Sequence, residues 1–259
     1  MRLKYTVIAL GLAVSSQFLV ANNAQALSST FTQWNFTQDP VTSPPDNSPA
    51  PTTGTGTASV LGMTNNYTYS TSPSVTGSVA YADIVLDTTT NVDVWRIRGA
   101  NPGNGWSNSA PEYTQGAEFD TSTVGYTGIG LTYSFLVTTQ GIADYQTQYT
   151  TDGTTWTNIG SVEVGKTTEL TTVNIDLSGI ASVNNDANFG VRIVSAFAPS
   201  TSTYENAAGA TYNNNSGNTR ISNVAFTGTP VPFDFDPAYG VALGLPLFMG
   251  IRIAKKKLA

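Results

Sequence analysis

Apolar side chains along this chain fall in short runs that alternate with polar ones. Across positions 31–37, Thr32, Trp34 and Phe36 lie on one side and Phe31, Gln33 and Asn35 on the other. That period of two predicts a strand whose first set faces inward. Comparable runs recur at 58–63, 78–85, 92–98, 116–119, 129–138, 144–150, 155–164, 170–177, 189–197 and 220–227, with Gly, Asn, Asp and Pro concentrated between them. No stretch of this region keeps a 3.6-residue period long enough to require a helix, and no unit of about 20–50 residues repeats, which disfavours solenoids and propellers. Short strands at this spacing predict an all-β fold, a β-sandwich or jelly roll. The sharpest hairpin signal is Asp152-Gly153, between Tyr149 and Trp156.

Two stretches interrupt the pattern. Residues 39–57 carry Pro40, Pro44, Pro45, Pro49 and Pro51, which cannot donate ladder hydrogen bonds, and predict an extended surface loop or linker. Residues 199–218 form a long polar segment containing Tyr204 and Tyr212, the kind of loop that is either functional or mobile.

The pattern changes at both ends. Arg2 and Lys4 precede an apolar stretch at 7–20, and Ala24-Gln25-Ala26 supplies the small-x-small pattern read by a signal peptidase, so 1–26 is expected to be a signal peptide. At the other end, 229–259 is expected to be a sorting and anchoring segment, leaving 27–228 as the ectodomain. Its apolar run of seventeen residues, 238–254, is interrupted by Arg252 and closed by Lys255, Lys256 and Lys257. A membrane-spanning helix takes about 20 apolar residues, so this short hydrophobic helix is a marginal span, with its basic end held at the cytoplasmic side.

The motif Val231-Pro232-Phe233-Asp234-Phe235, followed by that hydrophobic stretch and the lysines, resembles the C-terminal signals of the PEP-CTERM class, in particular the cyanobacterial PFE-CTERM variant, with Asp234 where glutamate is usual. The resemblance implies display at the cell surface or in the extracellular matrix, an exosortase-type processing partner and at least transient membrane attachment. An ordinary single-pass anchor is the alternative. A second, diffuse resemblance runs through Trp95-Arg96-Ile97-Arg98-Gly99, Gln115-Gly116-Ala117-Glu118-Phe119 and Arg220-Ile221-Ser222-Asn223-Val224 to exported bacterial jelly-roll domains, similar in general shape to carbohydrate-binding modules and discoidin-like sandwiches. Related domains hold a structural calcium with acids on the first and last strands. This chain has Asn35 and Ser222 at the matching places, so the resemblance implies a weakened or missing site there.

Charge and composition narrow the chemistry. Six of the eleven bases lie in the end segments, leaving Arg96, Arg98, Lys166, Arg192 and Arg220 against fifteen acids in 27–228. Such a surface repels a phosphate backbone and makes nucleic acid a poor partner. There is no cysteine and no histidine, which removes disulfides, Ser-His and Cys-His nucleophile pairs and histidine-bound zinc.

Calcium, if bound, needs six to eight oxygens. Asp83 with Asp87, and Asp186 with Asn184, Asn185 and Asn188, are local candidates, although turn chemistry explains the second group better. The Asp152-to-Trp156 segment is one residue short of a sialidase Asp-box and occurs once, so a tight hairpin with Trp156 packed on its sheet is the better reading. Trp34, Trp95 and Trp156 are expected in the core. Trp106 lies in a Gly/Asn-rich loop and either stacks on a sugar or plugs one end of the sandwich, with Glu112, Tyr113, Tyr204 and Asn206 available to extend a sugar-binding surface. The function expected is that of a non-catalytic surface protein in contact with extracellular polysaccharide. The alternative is a carboxylate-based glycan hydrolase or lyase drawing on Glu112, Glu118, Asp120 and Asp144, of which Glu118 and Asp120 would share a strand face.

Overall fold

The computed structural model describes residues 26–37, 46–63, 67–68, 79–80, 82–98, 106–213 and 217–231. The signal peptide except Ala26, the sorting-motif residues Pro232, Phe233, Asp234 and Phe235, the hydrophobic tail and Lys255, Lys256 and Lys257 lie outside the described residues. Among the described residues no helix is long and apolar enough to cross a membrane.

The chain is all-β. Its strands are β1 (Ser29–Trp34), β2 (Thr57–Leu61), β3 (Tyr67–Thr68), β4 (Val79–Ala80), β5 (Ala82–Asp87), β6 (Val92–Arg98), β7 (Gly116–Asp120), β8 (Tyr126–Val137), β9 (Asp144–Thr150), β10 (Thr157–Val164), β11 (Thr171–Asp176), β12 (Gly190–Ser195) and β13 (Asn218–Pro230). One antiparallel sheet runs β11-β8-β13-β6-β5, with β1 added beside β13; the other runs β10-β9-β12-β7-β2. β3 and β4 form a separate ribbon, of which β4 lies within the run predicted at 78–85 and β3 was not foretold.

Period-two alternation builds the space between the sheets. In β7, Ala117 and Phe119 are fully buried while Glu118 and Asp120 point away. Phe119 packs edge-on against Trp34 and Trp95, with ring centroids 5.2 and 5.8 Å apart. Phe135 of β8 meets Tyr145 of β9 at 5.3 Å, and the Tyr133 hydroxyl bonds Thr147 Oγ1 across the core at 2.8 Å. A buried hydroxyl placed this way has a partner that offsets the cost of its desolvation.

The proline-rich segment is tied down where it is described. The indole N–H groups of Trp34 and Trp95 donate to the carbonyls of Pro49 and Asp46 at 2.9 and 2.8 Å, and Thr53 bridges Gln33. The acids on the far side of the six-stranded sheet are also engaged. Asp83 accepts from Arg96 and Arg98, and Asp87 from Arg220. The Asn184–Asn188 region is a turn network, in which Asn184 Oδ1 accepts from Gly128 N, Asn185 Oδ1 from Gly125 N and Asp186 Oδ1 from Asn188 N.

Candidate functional site

The five-stranded sheet turns its second face away from the core. On it, Glu118 and Asp120 of β7 share one side, as their spacing of two requires. Arg192 of β12 stands directly opposite Glu118 in the ladder and donates from Nε to Glu118 Oε2 at 2.5 Å. The Arg192 guanidinium also lies 3.8 Å from the centre of the Trp156 ring, a distance at which cation–π attraction is significant. Beside this group, Gln148 donates to the exposed Asn158 at 2.8 Å. The result is a half-exposed indole set among a carboxylate pair, a guanidinium and amides.

Next to it opens a cleft of about 400 Å³. Glu118 and Asp120 line one side, Gly56 and Thr57 approach from the start of β2, Gly153 from the β9–β10 turn, and Asn188 and Phe189 from before β12. Gly190 faces Asp120 across the strands. A Cβ on Gly190 would lie 2.4 Å from Asp120 Oδ1 and 3.3 Å from the Trp156 ring, so the missing side chain keeps the cleft floor open.

Turn chemistry shapes the rim. Asp152 Oδ1 accepts from Thr154 N, Thr155 N and Thr150 Oγ1 at 2.8, 2.6 and 2.9 Å, with Gly153 at φ 72°. These bonds favour the ionised form and hold the Asp152 carboxyl well below the usual range. They also fix the turn from which Trp156 returns to the sheet.

Asp120 is displaced the other way. Burial, and then the charge of Glu118, push its carboxyl up from 3.8 to about 6. A folded-state value above the unfolded one means that folding favours the protonated form, so this contribution to stability is lost as pH rises from 3.8 through about 6. Asp120→Asn is therefore expected to be more stable than the parent by about 1–2 kcal/mol at about pH 7.5 and to gain little at about pH 4. Urea unfolding at the two pH values checks this.

The residues expected to extend a sugar-binding surface separate into two groups. Glu112 and Tyr113 lie at the other end of the same sheet. Glu112 Oε1 accepts from Phe197 N at 2.8 Å, and Tyr113, held at φ 65°, is half-buried and donates its N–H to Ser195 O at 3.0 Å. Burial and then the Glu112 charge raise the Tyr113 phenol above its ordinary value.

The other three are inside the protein, so Tyr204 and Asn206 do not extend an exposed surface, and of the two readings of Trp106 the structure shows the plug of the sandwich end. Trp106 is 2% exposed, donates to Ile97 O at 3.4 Å and meets Tyr145 edge-on at 6.2 Å, because the sandwich end receives the ring that its own loop does not cover. Tyr204 is buried, with its hydroxyl on Pro111 O at 3.0 Å and its ring against Phe197 at 4.7 Å. Asn206 is buried as a turn brace, its Oδ1 accepting from Ala208 N and Ala210 N. Trp156, expected in the core, is instead half-exposed on the outer face.

No protein-family model matches the chain, and neither does any curated protein. Among solved structures, it is similar to one described as "CBM4 structure and function", at 10% identity over 56% of this chain and 87% of that one, with a TM-score of 0.34. It is similar to the CBM22-1 xylan-binding domain of Xyn10C from Paenibacillus barcinonensis at 7% identity over 58% of this chain and 82% of that one, with a TM-score of 0.34. It is also similar to a cyclase from Fischerella sp. TAU at 11% identity over 79% of this chain and 90% of that one, with a TM-score of 0.33. Overlap at this level assigns no ligand.

Proposed function

We propose that this chain is a non-catalytic, jelly-roll-type glycan-binding protein, and that the outer face of its five-stranded sheet holds the sugar. The observation that carries this reading is the half-exposed Trp156 beside the Glu118–Asp120 cleft, with Arg192 on one side of its ring. The apolar face of a pyranose stacks on such a ring while carboxylates and amides take its hydroxyls. Cleavage fits the site less well. Glycoside hydrolases separate their two carboxyl groups by about 5–10 Å across the scissile bond, whereas Glu118 raises Asp120 both by charge and by hydrogen bonding and is itself bound to Arg192.

Export and surface attachment belong to the same proposal and rest on the two end segments. The sorting motif from Val231 to Phe235 and the stop at Lys255–Lys257 suit a tail held in the membrane until an exosortase-type enzyme acts. Terminal mapping of protein recovered from its host would then find the tail lost.

The test of binding is titration of the full chain with neutral and acidic polysaccharides, in parallel with a reducing-end assay. Saturable binding without release of new ends is expected. Release of ends that disappears in Asp120→Asn would replace this reading with the hydrolytic one, and no binding to any glycan would end it.

A further inference from the structure

Charge is unevenly shared between the two sheets. Of the five bases in 27–228, Arg96, Arg98 and Arg220 belong to β6 and β13 of the six-stranded sheet, where they pair with Asp83 and Asp87, and Lys166 follows β10 and pairs with Glu169. β2, β7, β9 and β10 contain no base, so Arg192 of β12 is the one cation that the strands of the five-stranded sheet supply. Glu118 already holds it. The Arg192 Nε–H is directed at Glu118 Oε2, with the two side chains 25% and 17% exposed, and the guanidinium rests on the Trp156 ring.

The second carboxylate of the cleft pairs with no base of its own. Asp120 takes a long hydrogen bond from the Thr57 hydroxyl, 3.4 Å away, and is ionised above about 6. Asp152 and Asp186 add to the sign, standing next to the lining residues Gly153 and Ala187. Among the described residues, four acids thus lie in or beside the cleft lining against one base. Carboxylates accept strongly from hydroxyls, and the terminal N–H groups of Arg192 can donate to them. An anionic group on a ligand would meet surplus like charge and would have to compete with Glu118 for the guanidinium, an arrangement by which binding surfaces reject wrong partners.

We propose, taking this face as the glycan site, that the cleft selects uncharged, hydroxyl-rich polysaccharide and turns away carboxylated or sulfated chains. Glu118 sets the filter by occupying Arg192, and Asp120 supplies the surplus negative charge. The selection is local, because it follows from paired side chains of β7 and β12 and not only from the excess of acids over the whole domain. Being electrostatic, it weakens as salt shortens the screening length, from about 30 Å at about 0.01 M to about 3 Å at about 1 M.

The experiment titrates the full chain with polymer pairs that share a backbone and differ in charge: a soluble glucan and the same glucan oxidised to the uronate at its primary alcohols, dextran and dextran sulfate, and methyl-esterified and de-esterified polygalacturonate. The ratio of affinities within a pair is the readout. At about 0.01 M salt the neutral member is expected to bind at least about tenfold more tightly, and the ratio should shrink at about 1 M. Glu118→Gln combined with Asp120→Asn, which keeps the shapes and removes both charges, should bring the ratio close to one or invert it. Glu169→Gln, which removes a charge beyond the far end of β10 from Trp156, should leave the ratio as it is. Equal or tighter binding of the charged members by the parent protein would overturn the selectivity while leaving the glycan-binding reading in place. So would a ratio that neither salt nor the double variant moves, which assigns the exclusion to shape, or one that Glu169→Gln moves as much, which assigns it to total charge. Failure of both members of every pair to bind would end the glycan reading itself, and the filter with it.

Discussion

Replacing Asp87 with alanine is expected to destabilise the fold by about 3–5 kcal/mol, the usual cost of breaking a buried ion pair from one side. Asp87 is 1% exposed and accepts from Thr89 N, Thr90 N and Thr90 Oγ1 at 2.9, 2.8 and 3.0 Å, as well as from Arg220 Nη1. It thus closes the β5–β6 turn and ties the end of β5 to β13 across the intervening β6. Removing it would open the turn and leave Arg220 with Asn218 alone, through a bond of 2.9 Å. Burial alone would raise the Asp87 pKa, but the Thr90 N–H and Arg220 outweigh it and hold the carboxyl below its ordinary 3.8. For a depressed carboxylate the stabilisation is present above 3.8 and is lost as pH falls through the folded value. Denaturant unfolding should therefore show the gap between parent and variant narrowing in acid. An equal gap at neutral and acidic pH would mean that packing, not charge, explains the loss.

Trp156→Ala is expected to weaken glycan binding at least tenfold, and to about a hundredfold if the ring is the central anchor. Its melting temperature should move little, because the ring packs on the outside of the sheet and is not part of the interior cluster. Trp34→Ala supplies the contrast. Trp34 is fully buried against Phe119 and Phe226, and its loss should cost stability on the scale of about 3–5 kcal/mol. Calorimetric titration of Trp156→Ala alongside its thermal unfolding separates the two effects. Unchanged affinity in a folded variant would move the sugar site off this face.

The interior of the fold was legible because strand alternation is a local property. β6 and β9 fall at 92–98 and 144–150 as the pattern predicts, and Trp34 and Trp95 face inward. What stayed hidden depends on residues far apart in the chain. Glu118 and Arg192 meet only because β7 and β12 pair, 74 positions apart. Trp106 reads, from its own Gly/Asn-rich loop, as either a sugar platform or a plug of the sandwich end, and it is the contacts with Tyr145 and Ile97, which no local pattern reports, that make it the plug. Trp156 sits at the foot of a turn just before β10, where alternation has not yet begun to fix which side a residue takes. The carboxylate pair on β7 was visible as a spacing; its raised Asp120 needed the cleft.

The position of β13 has a consequence for how the molecule is made. The last strand of the domain is hydrogen-bonded to β8 along one side and to β6 and then β1 along the other, with Ser29 opposite Gly228. A chain emerging from its amino end therefore carries β1, β6 and β8 as separate pieces until residues 218–230 arrive to join them. Synthesis and assembly run in opposite order, and the long-range pairing that closes the sheet comes late and slowly. The five-stranded sheet and the β5–β6 and β8–β11 pairs can form from residues that precede the final strand, so what waits for it is the joining of β1, β6 and β8 into one sheet.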